Sequence, residues 1–137
     1  MDMSTWVLSR VIPDESERFQ ALCRALADAD AARRRFAFAE LADFLRPLPP
    51  GAFRVATSHA PRAQLDPVAL NYLAGAIELA AERRDQTPPA WTRDVPIPET
   101  PVFGSSLNSL RLYLLTRGPV ALRRRNIFVD ASVDERV

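Results

Sequence analysis

The chain has 137 residues, enough for one domain that buries roughly two thirds of the surface its unfolded form exposes. Hydrophobic residues make up 47% and charged residues 26%, a balance too apolar for a disordered chain. The net charge of +1 supplies no overall field to attract nucleic acid or an anionic membrane, and the single cysteine excludes an internal disulfide and a thiolate-rich zinc site.

The opening MDMSTWVLSRVIPDE starts acidic and has no apolar core of signal-peptide length, which points to a cytoplasmic protein. Its apolar residues fit neither the helical nor the strand period, and Pro13 ends the segment. From Asp14 the pattern is helical. Phe19, Leu22, Cys23 and Leu26 form one stripe, behind a first turn that carries Asp14, Glu15 and Glu17. Cys23 lies on that stripe and reads as a small core residue, since nothing near it in sequence would activate a thiol.

A second helix is predicted from about Ala31 to Leu45, with Ala37, Leu41, Phe44 and Leu45 inward and RPLPPG stopping it. The next run, AFRVATSHAPRAQ, reads as a connecting segment. Its FRVAT stretch could make a short strand, although one such run makes no sheet. Asp66 followed by Pro67 is an N-cap with a proline at the first helical position. The helix continues through VALNYLAGAIELAAERR with a broad apolar face, where Gly75 costs about 1 kcal/mol relative to alanine and suggests a close helix crossing.

Residues 86–104, QTPPAWTRDVPIPETPVFG, are proline-rich and nearly aperiodic. A linker is one reading. An ordered, extended strap is preferred, because Trp91, Val95, Ile97, Val102 and Phe103 supply apolar anchors. Ser106 then caps a predicted helix through LNSLRLYLLTR that buries Leu107, Leu110 and Leu114, and Gly118 closes it. Pro119 opens a short further helix, PVALRRR, for which Asn126 offers a left-handed ending, and Asp130 or Ser132 caps a last turn. No apolar stretch approaches the roughly 20 residues of a membrane span. The expected architecture is all-α: a single compact domain over residues 1–137, of about four to six helices with a proline-rich strap.

Catalytic signatures are missing. The one histidine, His59 in ATSHAPR, adjoins Ser58 without the glycine-rich turn or oxyanion donors of a nucleophile site, and reads as a solvated loop residue. There is no GxGxxG, P-loop or HExxH spacing, so neither a cofactor nor a metal is expected. Two arginine triplets remain, Arg33–Arg35 and Arg123–Arg125. Three consecutive helical residues fan through about 200°, so a triplet cannot turn wholly toward one phosphate strand. One member typically lays its stem on apolar surface and forms an ion pair while the others meet solvent.

From Pro89 onward the chain resembles a group of small bacterial proteins, common in actinobacteria, encoded beside nucleotidyltransferase-like toxins. The proline-flanked tryptophan PPAWTRD (88–94) and the tail SLRLYLLTRGPVALRRRNIFVDASVDERV (109–137) carry the resemblance. The tail is similar to the group's apolar helix, proline-led AxRRRxIFV element and short closing helix. The match spans about a third of the chain. It implies an antitoxin-like partner that binds and restrains another protein, and no enzyme; no run like the acidic pair of a nucleotidyltransferase is present. On this reading Arg123, Arg124, Arg125, Asn126 and Trp91 are the candidate partner-binding residues. A DNA- or RNA-binding regulator that uses the arginine triplets is the alternative.

Overall fold

Asp14 begins the first helix by accepting a hydrogen bond from the Ser16 amide at 3.0 Å, and α1 (Glu15–Asp28) follows in the computed structural model, which describes residues 14–99, 102–103 and 120–128. Its apolar stripe is the expected one: Phe19, Cys23 and Leu26 are fully buried. Asp30 caps α2 (Ala31–Leu45) through the Arg33 amide at 2.9 Å, and Leu41 and Leu45 point into the core. The Arg18 guanidinium of α1 sits over the Phe44 ring of α2 at 5.4 Å.

The segment after α2 departs from the expectation of a connection or short strand. Residues Pro50–Ala56 form a helix, α3. Proline at N1 fixes φ and gives up a donor that no helix start could use, which outweighs the weak strand preference of FRVAT. Burial of Phe53 and Ala56 against α1 then holds this helix of about two turns in place.

Helix α4 (Pro67–Arg83) is the hub. Asp66 caps it through the Ala69 amide at 2.8 Å, and Pro67 opens it as predicted. Ten of its residues are buried, because it packs on two sides. Leu73, Ile77 and Ala80 belong to one core cluster with α1, α2 and α3. Three contacts in the same order along both helices show that α2 and α4 run in the same sense. These are the Arg34–Asp66 ion pair at 2.6 Å, the Phe38–Tyr72 ring pair at 4.5 Å, and Arg84 at the end of α2.

Over its described residues the strap is not extended throughout as expected, for a 3-10 turn (Ala90–Asp94) interrupts it; Val95 is buried, whereas Ile97, expected as an anchor, is 54% exposed. Toward its end, β1 (Val102–Phe103) pairs in parallel with β2 (Ile127–Phe128), and α5 (Val120–Arg123) packs against α4 just before β2. Among the described residues that two-residue pair is all the β-structure, and the fold is a small all-α domain. Asn126 closes the α5 turn at φ 60°, the left-handed ending its residue type suggested. The opening segment, the Ser106 helix, Gly118, Pro119 and the cap at Asp130 or Ser132 lie outside the described residues. No described helix is long and apolar enough to cross a membrane.

Candidate protein-interaction site

Every third or fourth residue on one side of α4 contributes to the seat of α5. Asn71, Gly75 and Glu78 stand at i, i+4 and i+7 and so share a face. Gly75 brings the two backbones together, for a Cβ there would overlap the Leu122 Cδ2 methyl and touch Arg125 Cδ at 3.4 Å. The close crossing foreseen from that glycine is therefore real, with α5 as the other helix.

On either side of the glycine, α4 offers an acceptor to Arg125. Its Nε donates to Glu78 Oε1 at 2.6 Å and its Nη1 to Asn71 Oδ1 at 3.0 Å, while Nη2 donates to the Thr92 carbonyl of the strap. Arg125 is only 5% exposed. Its assignment as a partner-binding residue is corrected here: all three guanidinium nitrogens are directed at internal acceptors. The Asn71 amide is equally committed, donating to Pro67 O at 2.8 Å and Pro96 O at 2.7 Å.

The logic of this clamp lies in the proline content of the strap. Prolines have carbonyls but no N–H, so a segment with Pro88, Pro89, Pro96 and Pro98 is rich in acceptors and short of donors. Arginine and the asparagine amide supply donors in fixed geometry. Asn126 completes the set by donating to Pro98 O at 2.7 Å. Its side chain is thus half-buried and internally bonded.

Trp91 is also held within the fold. The indole is half-buried against the core, and its Nε1 donates to the Thr57 carbonyl at the end of α3 at 2.8 Å. Docking into the protein's own framework was one of two sequence readings of this side chain, and the geometry is of that kind. Of the five candidate residues, Arg124 is the one exposed side chain; Arg123 is half-buried.

The first triplet follows the same rule. Arg34 pairs with Asp66, while Arg33 and Arg35 face solvent. Each triplet thus places one guanidinium in an ion pair within the chain, a half-exposed one at Arg34 and a buried one at Arg125, although only Arg123 of the second triplet is helical and Arg124 and Arg125 lie in the turn that follows. His59 is exposed and contacts Ser58 Oγ through Nδ1 at 3.0 Å, a local loop contact. Burial pushes the Cys23 thiol up to about 12, so it is a protonated core residue at neutral pH. Among the described residues no group of histidine, cysteine and carboxylates could hold a metal ion.

Sequence reasoning missed two further fastenings. Arg84 ties the end of α4 to that of α2: Nη2 donates to Leu45 O at 2.7 Å, Nε to Leu48 O at 3.0 Å and Nη1 to Ala80 O at 2.8 Å, with the guanidinium 4.5 Å above the Phe53 ring. Carbonyls at a helix end lack partners within the helix, and Arg84 supplies them from another element. Gln20, buried on α1, pins the loop after α3 by donating to Ala60 O at 3.1 Å and accepting from the Arg62 amide at 2.9 Å.

Two shallow clefts flank the start of the strap. One of about 410 Å³ is lined by Glu78, Glu82, Asp85 and Arg124 with the strap residues Gln86–Pro88. The other, of about 260 Å³, lies between the same strap residues and Phe53, Arg54, Thr57 and Ser58. Comparison of the chain with protein-family models, curated proteins and solved structures shows no match to any of them.

Proposed function

We propose that the protein is a non-catalytic helical interaction protein, antitoxin-like, that binds and restrains a second protein through the layer formed by the strap and α5. The observation that carries this reading is the way the strap is held. Its carbonyls at Thr92, Pro96 and Pro98 are gripped from inside by Arg125, Asn71 and Asn126, while Ile97 between them is 54% exposed. An irregular segment fixed in this manner presents its outward side chains without an ordering cost at the moment of binding. Val120, 51% exposed, and Arg124 are the exposed residues among 120–127 and supply an apolar contact and a paired hydrogen-bond donor. The resemblance of the strap and tail to toxin-associated proteins supports the nature of the partner.

Co-expression with the product of the adjacent gene, followed by affinity purification and calorimetric titration, tests the proposal. A stoichiometric complex is expected. The double substitution Ile97→Asp with Arg124→Glu should weaken it about tenfold or more while leaving thermal stability unchanged. Absence of a complex, or a complex indifferent to the double substitution, overturns the reading. So does tight binding of a duplex DNA probe that weakens steeply with salt, since that behaviour belongs to phosphate contacts.

A further inference from the structure

Among the described residues, helix α2 is packed on one side and open on the other. Its outward stripe, Ala32, Arg33, Phe36, Ala39, Glu40 and Asp43, falls within about 60° of the Phe36 direction. Phe36 is 71% exposed, the most exposed of the large apolar side chains among the described residues. Around it the charges run in an unusual order. Arg33 stands one turn toward the helix start, and Glu40 and Asp43 stand one and two turns toward its end.

That order opposes the helix dipole, which favours acids at the start and bases at the end. Nor does it serve pairing within the helix, because Arg33 and Glu40 are seven residues and about 10 Å apart along the axis, beyond the reach of i, i+4 pairs. Neither side chain enters an ion pair with another described residue. The arrangement is self-complementary. A two-fold axis across α2 between residues 36 and 37 sets Arg33 of one copy opposite Glu40 of the other, twice, on the same side of the stripe. Phe36 then meets Phe36 at the centre, and Ala32 and Ala39 leave room for the backbones to approach.

We infer that the outward face of α2 is an antiparallel two-fold contact with a second copy of this chain, centred on Phe36 and keyed by reciprocal Arg33–Glu40 pairs. Closed two-fold contacts require that residue i meet j and j meet i, and the stripe satisfies that condition with opposite charges. One helix face buries less than the roughly 1,200 Å² of a standard interface, so the association is weak, with a dissociation constant on the order of 100 μM. This contact is separate from the strap layer, so neither proposal depends on the other.

Sedimentation velocity on the purified chain from about 10 to about 500 μM tests it directly. The weight-average mass should climb from monomer toward dimer, and less so at high salt. Arg33→Glu and Glu40→Arg, each alone, should weaken association about tenfold, whereas the double swap restores it to within about threefold. All these side chains are exposed, and an unchanged thermal melt verifies the fold of each variant. A chain that stays monomeric to the highest concentration overturns the inference, as does a double swap that fails to restore association. If the chain remains monomeric while Phe36→Ser abolishes the complex with the adjacent gene product, the face belongs to that partner and the two-fold contact is wrong.

Discussion

Replacing Arg125 by methionine keeps most of the stem volume and removes the three guanidinium donors from the clamp, leaving those of Asn71 and Asn126. Glu78 loses its ion pair, and Asn71 Oδ1 and the Thr92 carbonyl lose their hydrogen bonds. Breaking a fully buried pair from one side costs about 3–5 kcal/mol. The Glu78 side chain keeps 20% exposure, so water recovers part of its solvation and its share falls to about 2 kcal/mol. Asn71 and Thr92 are fully buried, and each acceptor left without a donor adds about 1 kcal/mol. The expected loss is therefore about 3–4 kcal/mol, a fall in melting temperature on the order of 10 °C. Urea denaturation should show a lower midpoint at unchanged m-value, while Arg124→Met, at an exposed neighbour, should stay within about 0.5 kcal/mol of wild type. Combining Arg125→Met with Glu78→Gln should cost less than the two separate losses together, by about 1–2 kcal/mol. A loss below about 1 kcal/mol for Arg125→Met, or one equal to that of Arg124→Met, refutes the clamp as the fastening of strap to helix.

Gly75→Ala gains about 1 kcal/mol of helix propensity but drives its methyl into the Cδ2 of Leu122, so that this fully buried side chain must shift; chemical denaturation should give a net loss of about 1–2 kcal/mol, relieved by adding Leu122→Ala. The Asp66 carboxyl is held below its usual range by the Ala69 amide first and, against some desolvation, by Arg34. Its contribution is complete above the ordinary carboxylate pKa and is lost as pH falls through the lowered value, so Asp66→Asn should flatten the decline of melting temperature below about pH 4 while costing under about 1 kcal/mol at neutral pH. A wild-type slope in the variant counts against that linkage. Trp91→Phe retains a ring in the groove but leaves the Thr57 carbonyl without its donor, and should lower stability by about 1 kcal/mol; an unchanged denaturation midpoint would show that bond to be immaterial.

Helices α1, α2 and α4 were legible in the residue order because each has an apolar stripe, joined at α4 by the Asp66–Pro67 start, and these signals act over a few residues. Helix α3 was not, since Phe53, Val55 and Thr57 look like a strand until the proline at its first position is given more weight than their side chains. The left-handed Asn126 and the close approach at Gly75 were readable from residue type alone. What Arg84 and Arg125 touch was not, because, apart from the Ala80 carbonyl one turn before Arg84, their acceptors lie 36–39 and 33–54 residues away and most are main-chain carbonyls, which leave no mark on the side-chain pattern. A weak trace did exist. Asn71 and Glu78 interrupt an otherwise apolar helix at seven-residue spacing, and two polar groups sharing an inner face call for a polar partner. The mutual order of the charges on α2 was likewise visible in the sequence, but only the burial pattern shows which of them look outward.

The grip on the strap has an evolutionary corollary. Carbonyl oxygens are common to all twenty residue types, so what Arg125, Asn71 and Asn126 hold at positions 92, 96 and 98 is indifferent to the exposed side chains between them, the buried Val95 apart. Arg93, Asp94 and Ile97 can be exchanged for other residues with little effect on the framework, for they are exposed and the fastening never consults them. Stability and surface character are thus uncoupled along this segment. A chain built this way can acquire a new outward face by substitution at a few strap positions, without passing through unstable intermediates.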